Sequence, residues 1–97
     1  SAMMAPFYEI LNSLSNWLVK RGIKKENAQK YISSLFLALS EDAFNHKKDI
    51  KRLVRESQTP GGLNEQAVKD LRKAGFYRLL EKTSNRILKR LNKSQSN

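Results

Sequence analysis

Apolar residues recur along this chain in steps of three and four, and nowhere do they alternate in steps of two. The first series is Phe7, Ile10, Leu11, Leu14, Trp17 and Leu18, which shares one face of a 3.6-residue helix but would be split between the two faces of a strand. Pro6 suits the first helical turn. Lys20 and Arg21 suit the negative end of the helix dipole, and Gly22 suits the left-handed residue beyond it. A second helix is expected over 26–44, with Ala28, Tyr31, Ile32, Leu35, Phe36, Leu39 and Ala43 turned inward. Its stretch Phe36-Leu37-Ala38-Leu39 is apolar on several sides, as the most buried element would be. Asn45-His46-Lys47-Lys48 breaks the pattern, and Asp49 has the chemistry of an N-cap for a short helix using Ile50, Leu53 and Val54. A helix over 64–73 would bury Ala67, Val68 and Leu71, with Asn64 as its N-cap and Leu63 stapled against Val68. Ala74-Gly75 ends it. The last helix, 76–92, would bury Phe76, Leu79, Leu80, Ile87, Leu88 and Leu91, leaving 93–97 as a frayed polar tail. The expected fold is all-α, a compact bundle of four to five helices.

Ninety-seven residues suffice for one domain with one modest core, since a chain this short buries only about 60–65 % of its unfolded surface. Apolar surface left over from that core calls for a partner. With no cysteine, the chain has no disulfide scaffold, thiolate metal site or cysteine nucleophile, and His46 is its only histidine. No metal site is expected. No apolar run reaches the roughly 18–20 residues needed to span a bilayer, and the expected setting is a reducing cytoplasm.

Nineteen Lys and Arg against nine Asp and Glu give a net charge of +10. Such a balance suits a nucleic-acid, membrane-surface or small anionic partner, and it also simply keeps a small domain soluble. Arg78, Lys82, Arg86, Lys89, Arg90 and Lys93 form one basic stripe, and Lys47, Lys48, Lys51, Arg52 and Arg55 form another cluster. Either could track phosphates, or each is the solvated side of an amphipathic helix. No zinc, glycine-aromatic or recognition-helix motif accompanies them. His46 sits among polar residues with no nucleophile to frame it, and the adjacent Glu41 and Asp42 point in different directions from a helix. All three read as surface. Tyr8, Trp17, Tyr31 and Tyr77 lie at helical spacing and read as core or interface.

Thr59-Pro60-Gly61-Gly62-Leu63-Asn64 differs in kind. Proline fixes one backbone angle, and two glycines let the chain approach a ligand without Cβ interference. A helix starts at once, so unpaired N–H groups and the positive end of a dipole converge there. In outline this is a small anion site suited to a carboxylate, although Pro-Gly-Gly is also an ordinary turn.

Thr59-Pro60-Gly61-Gly62 followed by a helix, then Ala74-Gly75-Phe76 and a long final helix, resembles the C-terminal part of the pyrroline-5-carboxylate reductase family, which carries a Ser-Pro-Gly-Gly-x-Thr loop. Ala5-Pro6-Phe7-Tyr8 is similar to that family's Gly-Pro-x-Tyr opening of the helical domain, at about the same separation from the loop. The likeness spans nearly the whole chain. It implies a fold like the C-terminal domain of 6-phosphogluconate dehydrogenase, intertwined as a homodimer. It implies that residues 1–97 are the single dimerisation and substrate-side domain of a longer reductase that makes proline with NADPH or NADH. The cofactor would sit in a separate Rossmann domain, so this chain would hold no cofactor-binding residue, no catalytic residue and no nucleic acid or membrane. Substrate would meet Thr59, Gly61, Gly62, Leu63 and Asn64. The family's threonine aligns with Asn64, Thr59 stands for its serine, and Leu63 is bulkier than its alanine or threonine. The backbone donors at 63 and 64 would survive and the threonine hydroxyl would not, which implies a divergent, reductase-like branch whose substrate need not be pyrroline-5-carboxylate. The alternative is a free-standing basic helical module that binds nucleic acid.

Overall fold

The computed structural model describes residues 1–47 and 49–95. Among them are five helices and no strand: α1 (Met4–Lys20), α2 (Lys25–Asn45), α3 (Ile50–Glu56), α4 (Leu63–Lys73) and α5 (Phe76–Gln95). The all-α expectation holds. Lys48 of the second basic cluster and the tail residues Ser96 and Asn97 lie outside the described residues. The chain divides into two units, Ser1–Asp49 and Ile50–Asn97.

In the first unit α1 packs against α2. The expected stop after Lys20 is a complete Schellman turn. Gly22 N–H donates to the Val19 carbonyl at 3.0 Å and Ile23 N–H to the Leu18 carbonyl at 3.2 Å, and Gly22 adopts φ +99°, a conformation that costs a residue with a Cβ. Arg21 adds something the dipole argument did not contain, since its guanidinium lies 4.8 Å from the centre of the Trp17 ring. Phe7 meets Phe36 edge-on across the two helices, with ring centres 6.2 Å apart.

The buried positions of this pair are small or branched: Ser15, Ala28 and Ile32. Ser15 keeps its hydroxyl satisfied by donating to the Leu11 carbonyl at 2.7 Å. Ile32→Ala is therefore expected to destabilise the unit by about 2–4 kcal/mol, measured by urea unfolding at fixed protein concentration. An unchanged midpoint would mean that Ile32 is not a core residue.

Most other residues expected inside are not covered. On α2, Tyr31 is 61 % exposed, Leu37 60 % and Leu39 55 %, so the stretch 36–39 is not the most buried part. The aromatic residues Tyr8 and Trp17 are exposed as well. The reason is geometric. Two packed helices cover one stripe of each other, and a segment apolar on several sides needs a further surface.

In the second unit α4 packs against α5 across the two-residue step Ala74-Gly75. Val68, Phe76 and Ile87 are half-buried, whereas Leu71, Leu79, Leu80, Leu88 and Leu91 remain exposed. The amphipathic stripe on α5 is real, but its leucines are left without cover. That helix also runs on to Gln95, into the segment expected to be frayed. The α3 helix ends with its own caps, the Ser57 hydroxyl donating to the Leu53 carbonyl at 2.7 Å and the Gln58 amide to the Val54 carbonyl at 3.0 Å.

Candidate functional site

The Pro-Gly-Gly segment is a tight turn. Gly62 N–H donates to the Thr59 carbonyl at 2.8 Å, and Gly61, two residues after Thr59, adopts φ +75°. Proline at the second position and a positive φ at the third define a type II turn, which is why glycine stands there. Gly62 is required for a different reason. Its φ is ordinary, −87°, but a Cβ added to it would sit 2.9 Å from the Thr59 carbonyl oxygen and 3.3 Å from the Thr59 Cβ. Two backbone segments approach here more closely than a side chain permits.

Helix α4 starts one residue earlier than expected. Gly62 is the N-cap, with extended backbone and no side-chain cap, and its carbonyl accepts from Gln66 N–H at 3.1 Å. Asn64 is therefore not the cap. It is the second helical residue, and its side chain makes no hydrogen bond among the described residues. The expected staple of Leu63 on Val68 is also absent, because Leu63 lies in the helix and is 86 % exposed. With the turn closed by Pro60 and Gly61, the chain enters the helix pointing Leu63 at solvent.

The five residues expected to meet substrate thus span the turn, Thr59, Gly61 and Gly62, and the first two residues of α4, Leu63 and Asn64, and their donors are not equivalent. Gly61 N–H donates to Glu65 Oε1 at 3.2 Å, and Gly62 N–H is engaged within the turn. The amides of Leu63 and Asn64 have no acceptor among the described residues, as expected for the first N–H groups of a helix. These two amides, the positive end of α4 and the free Asn64 side chain make a donor set that can accept a carboxylate.

Glu65 is the residue that sequence reasoning missed. Its carboxylate accepts from Gly61 N–H and, at 3.2 Å, from Lys69 Nζ. The Gly61 amide first, then the Lys69 ammonium, hold its carboxyl below the usual value of 4.5. The visible signal was its position, three residues after the N-cap, as in a capping box. The sign of the pH effect follows. A carboxylate favoured in the folded state contributes its full hold on the turn above pH 4.5, and loses it as pH falls through the lowered value. The Glu65 carboxyl is expected to titrate below 4.5 in a carbon-detected NMR titration, and Glu65→Ala should accelerate hydrogen exchange of the Gly61 amide. A midpoint at or above 4.5 would contradict the assigned contacts.

Asn64 faces a groove. Val54, Ser57, Gln58, Asn64, Val68, Arg72 and Tyr77 line an opening of about 290 Å³, all from the second unit. The α3 and α5 residues in this wall were not legible as neighbours of the loop, because only the folded unit brings them there. His46, Glu41 and Asp42 are exposed, and the described residues include no group of three or more His, Cys, Asp or Glu able to hold a metal ion. Without a strand among the described residues there is no glycine-rich strand-to-helix turn to receive a dinucleotide pyrophosphate. No described helix is long and apolar enough to cross a membrane.

Helices whose apolar stripes stay open need a second surface to complete their packing, which is the mark of an association domain. Residues 1–94 match the family described as pyrroline-5-carboxylate reductase dimerisation. The chain belongs to that family, and the match does not favour the free-standing nucleic-acid module. No curated protein matches the chain.

Proposed function

We propose that residues 1–97 act as the single dimerisation and substrate-side domain of a cytoplasmic, NAD(P)-dependent oxidoreductase that reduces pyrroline-5-carboxylate or a related cyclic imino acid. The observation behind this reading is the family match over residues 1–94. Open apolar stripes on α2 and α5 support it, and two protomers interlock as a homodimer to cover them.

The substrate carboxylate is held at the turn Thr59, Gly61, Gly62, Leu63 and Asn64. Thr59, Gly61 and Gly62 build the turn, while the amides of Leu63 and Asn64 donate to the carboxylate at the positive end of α4. The Asn64 side chain offers one more donor where the family has a threonine hydroxyl, and its greater length shifts where the carboxylate rests. NADPH or NADH, bound outside this chain, supplies the hydride. The residues described here bind and orient the acceptor.

Asn64→Thr in the full-length enzyme tests substrate identity. If pyrroline-5-carboxylate is the native substrate, restoring the hydroxyl should raise kcat/KM by roughly fivefold, the equivalent of a hydrogen bond of about 1 kcal/mol. A fall in kcat/KM for pyrroline-5-carboxylate, with the activity on a bulkier imino acid also lost, would mean that Asn64 is tuned to another substrate.

A further inference from the structure

The charge of the molecule is unevenly distributed. Residues 50–97 contain twelve Lys and Arg against four Asp and Glu, so this stretch supplies +8 of the total +10. Part of that excess lines a groove. The opening beside Asn64 shares Val54, Gln58 and Arg72 with a second one of about 450 Å³, whose remaining walls are Lys51, Arg55, Pro60 and Glu65. Lys51, Arg55 and Arg72 therefore face one space.

The acidic groups nearby do not neutralise these three cations. Glu65 is engaged by Lys69 and by the Gly61 amide, and Glu56 pairs with Arg52 at 2.9 Å. Lys51, Arg55 and Arg72 have neither hydrogen bond nor ion pair among the described residues. Lys51 and Arg55 are four apart on one short helix, a like-charge spacing that disfavours the helix when nothing sits between them. An anion in the groove removes that repulsion. A monocarboxylate at the amides of Leu63 and Asn64 does not use three cations, so the groove has capacity for a different ligand.

We propose that the groove formed by Lys51, Arg55 and Arg72 beside Pro60 is a binding site for a compact small-molecule polyanion, one bearing two or more phosphates or carboxylates. The two guanidinium groups offer forked donors that match phosphate or carboxylate oxygens, and Lys51 adds a point charge. Gln58 and Val54 line the same space, with the Gln58 amide also donating to the Val54 carbonyl at 3.0 Å. The site adjoins the substrate turn, sharing Val54, Gln58 and Arg72 with the opening beside Asn64, but its three cations are not among the residues assigned to the substrate carboxylate.

Calorimetric titration of the 97-residue chain with inorganic tripolyphosphate at 0.15 M salt tests the proposal, with acetate as the monovalent comparison. The expected result is saturable binding at one site per chain, with acetate at least about tenfold weaker. Arg55→Gln and Arg72→Gln should each weaken binding roughly fivefold or more, while Lys89→Gln and Arg90→Gln, which remove the same charge from α5, should leave it unchanged. Circular dichroism of each variant verifies that helix content is retained. Equal losses in all four variants, or no saturation, would reduce the effect to net charge and overturn the site. Tighter, steeply salt-dependent binding of a short DNA duplex of equal charge would overturn it in favour of a phosphate-backbone surface. None of these outcomes touches Asn64, so the assignment of the substrate turn stands or falls separately.

Discussion

Gly62→Val in the full-length enzyme is expected to raise KM for the native imino acid about tenfold or more, with a smaller effect on kcat. Any Cβ at residue 62 would lie 2.9 Å from the Thr59 carbonyl oxygen, and that oxygen is backbone, so it cannot turn aside as a side-chain tip would. The same oxygen accepts the Gly62 N–H bond that closes the turn. Relief therefore opens the turn and moves the amides of Leu63 and Asn64, the proposed carboxylate donors. Displacements of about 1 Å in a binding group are enough to cost up to about a hundredfold in rate. Thr59→Ala offers a milder comparison, because it removes the Thr59 hydroxyl and methyl but keeps the backbone, and it should alter KM by no more than about threefold. If Gly62→Val leaves kcat/KM unchanged, the turn is structural only and the substrate assignment fails.

The second large effect concerns association. Leu80 and Leu91 are eleven residues apart, three full turns, and so lie on one face of α5; they are 38 % and 55 % exposed in the single chain. If that face is covered in the dimer, the double substitution Leu80→Asp, Leu91→Asp removes four leucines from one two-fold interface. At about 1.5 kcal/mol for each, the loss is roughly 6 kcal/mol, or about four decades in the dissociation constant. Burying unpaired carboxylates adds to it. The double variant is expected to be monomeric at micromolar concentration in sedimentation velocity, and a dimer of unchanged affinity would take α5 out of the interface.

How far the fold was legible depends on whether the signal was local. Apolar spacing and the stops at Gly22 and Gly75 are written within one turn of chain, and the five helices appear where those signals lie. The Schellman turn at Gly22 needed only the residues between Leu18 and Ile23. Burial is not local in that sense. Leu35, Leu39, Leu88 and Leu91 have the spacing of core residues and are exposed, but spacing only says that a face is apolar, not which surface covers it. The same sequence pattern serves a core stripe and an interface stripe.

At the turn, the glycine pair pointed to close backbone approach, and the Gly62–Thr59 distance is that approach. The start of α4 was displaced by one residue because asparagine is the stronger N-cap by chemistry, whereas here the geometry set by Pro60 and Gly61 puts Gly62 in the cap position. Glu65 then takes up the Gly61 amide, a role that its position after the cap could have suggested. The groove walls from α3 and α5 are tertiary neighbours, and no spacing along the chain announces them.

Static light scattering on the purified 97-residue chain, from about 1 to 100 µM, addresses dimerisation most directly, because an obligate interface can bury more than about 2,000 Å² and hold over that range. The expected mass is twice the 11.2 kDa of one chain at every concentration. A constant 11.2 kDa would contradict dimerisation and leave the open stripes of α2 and α5 without their partner.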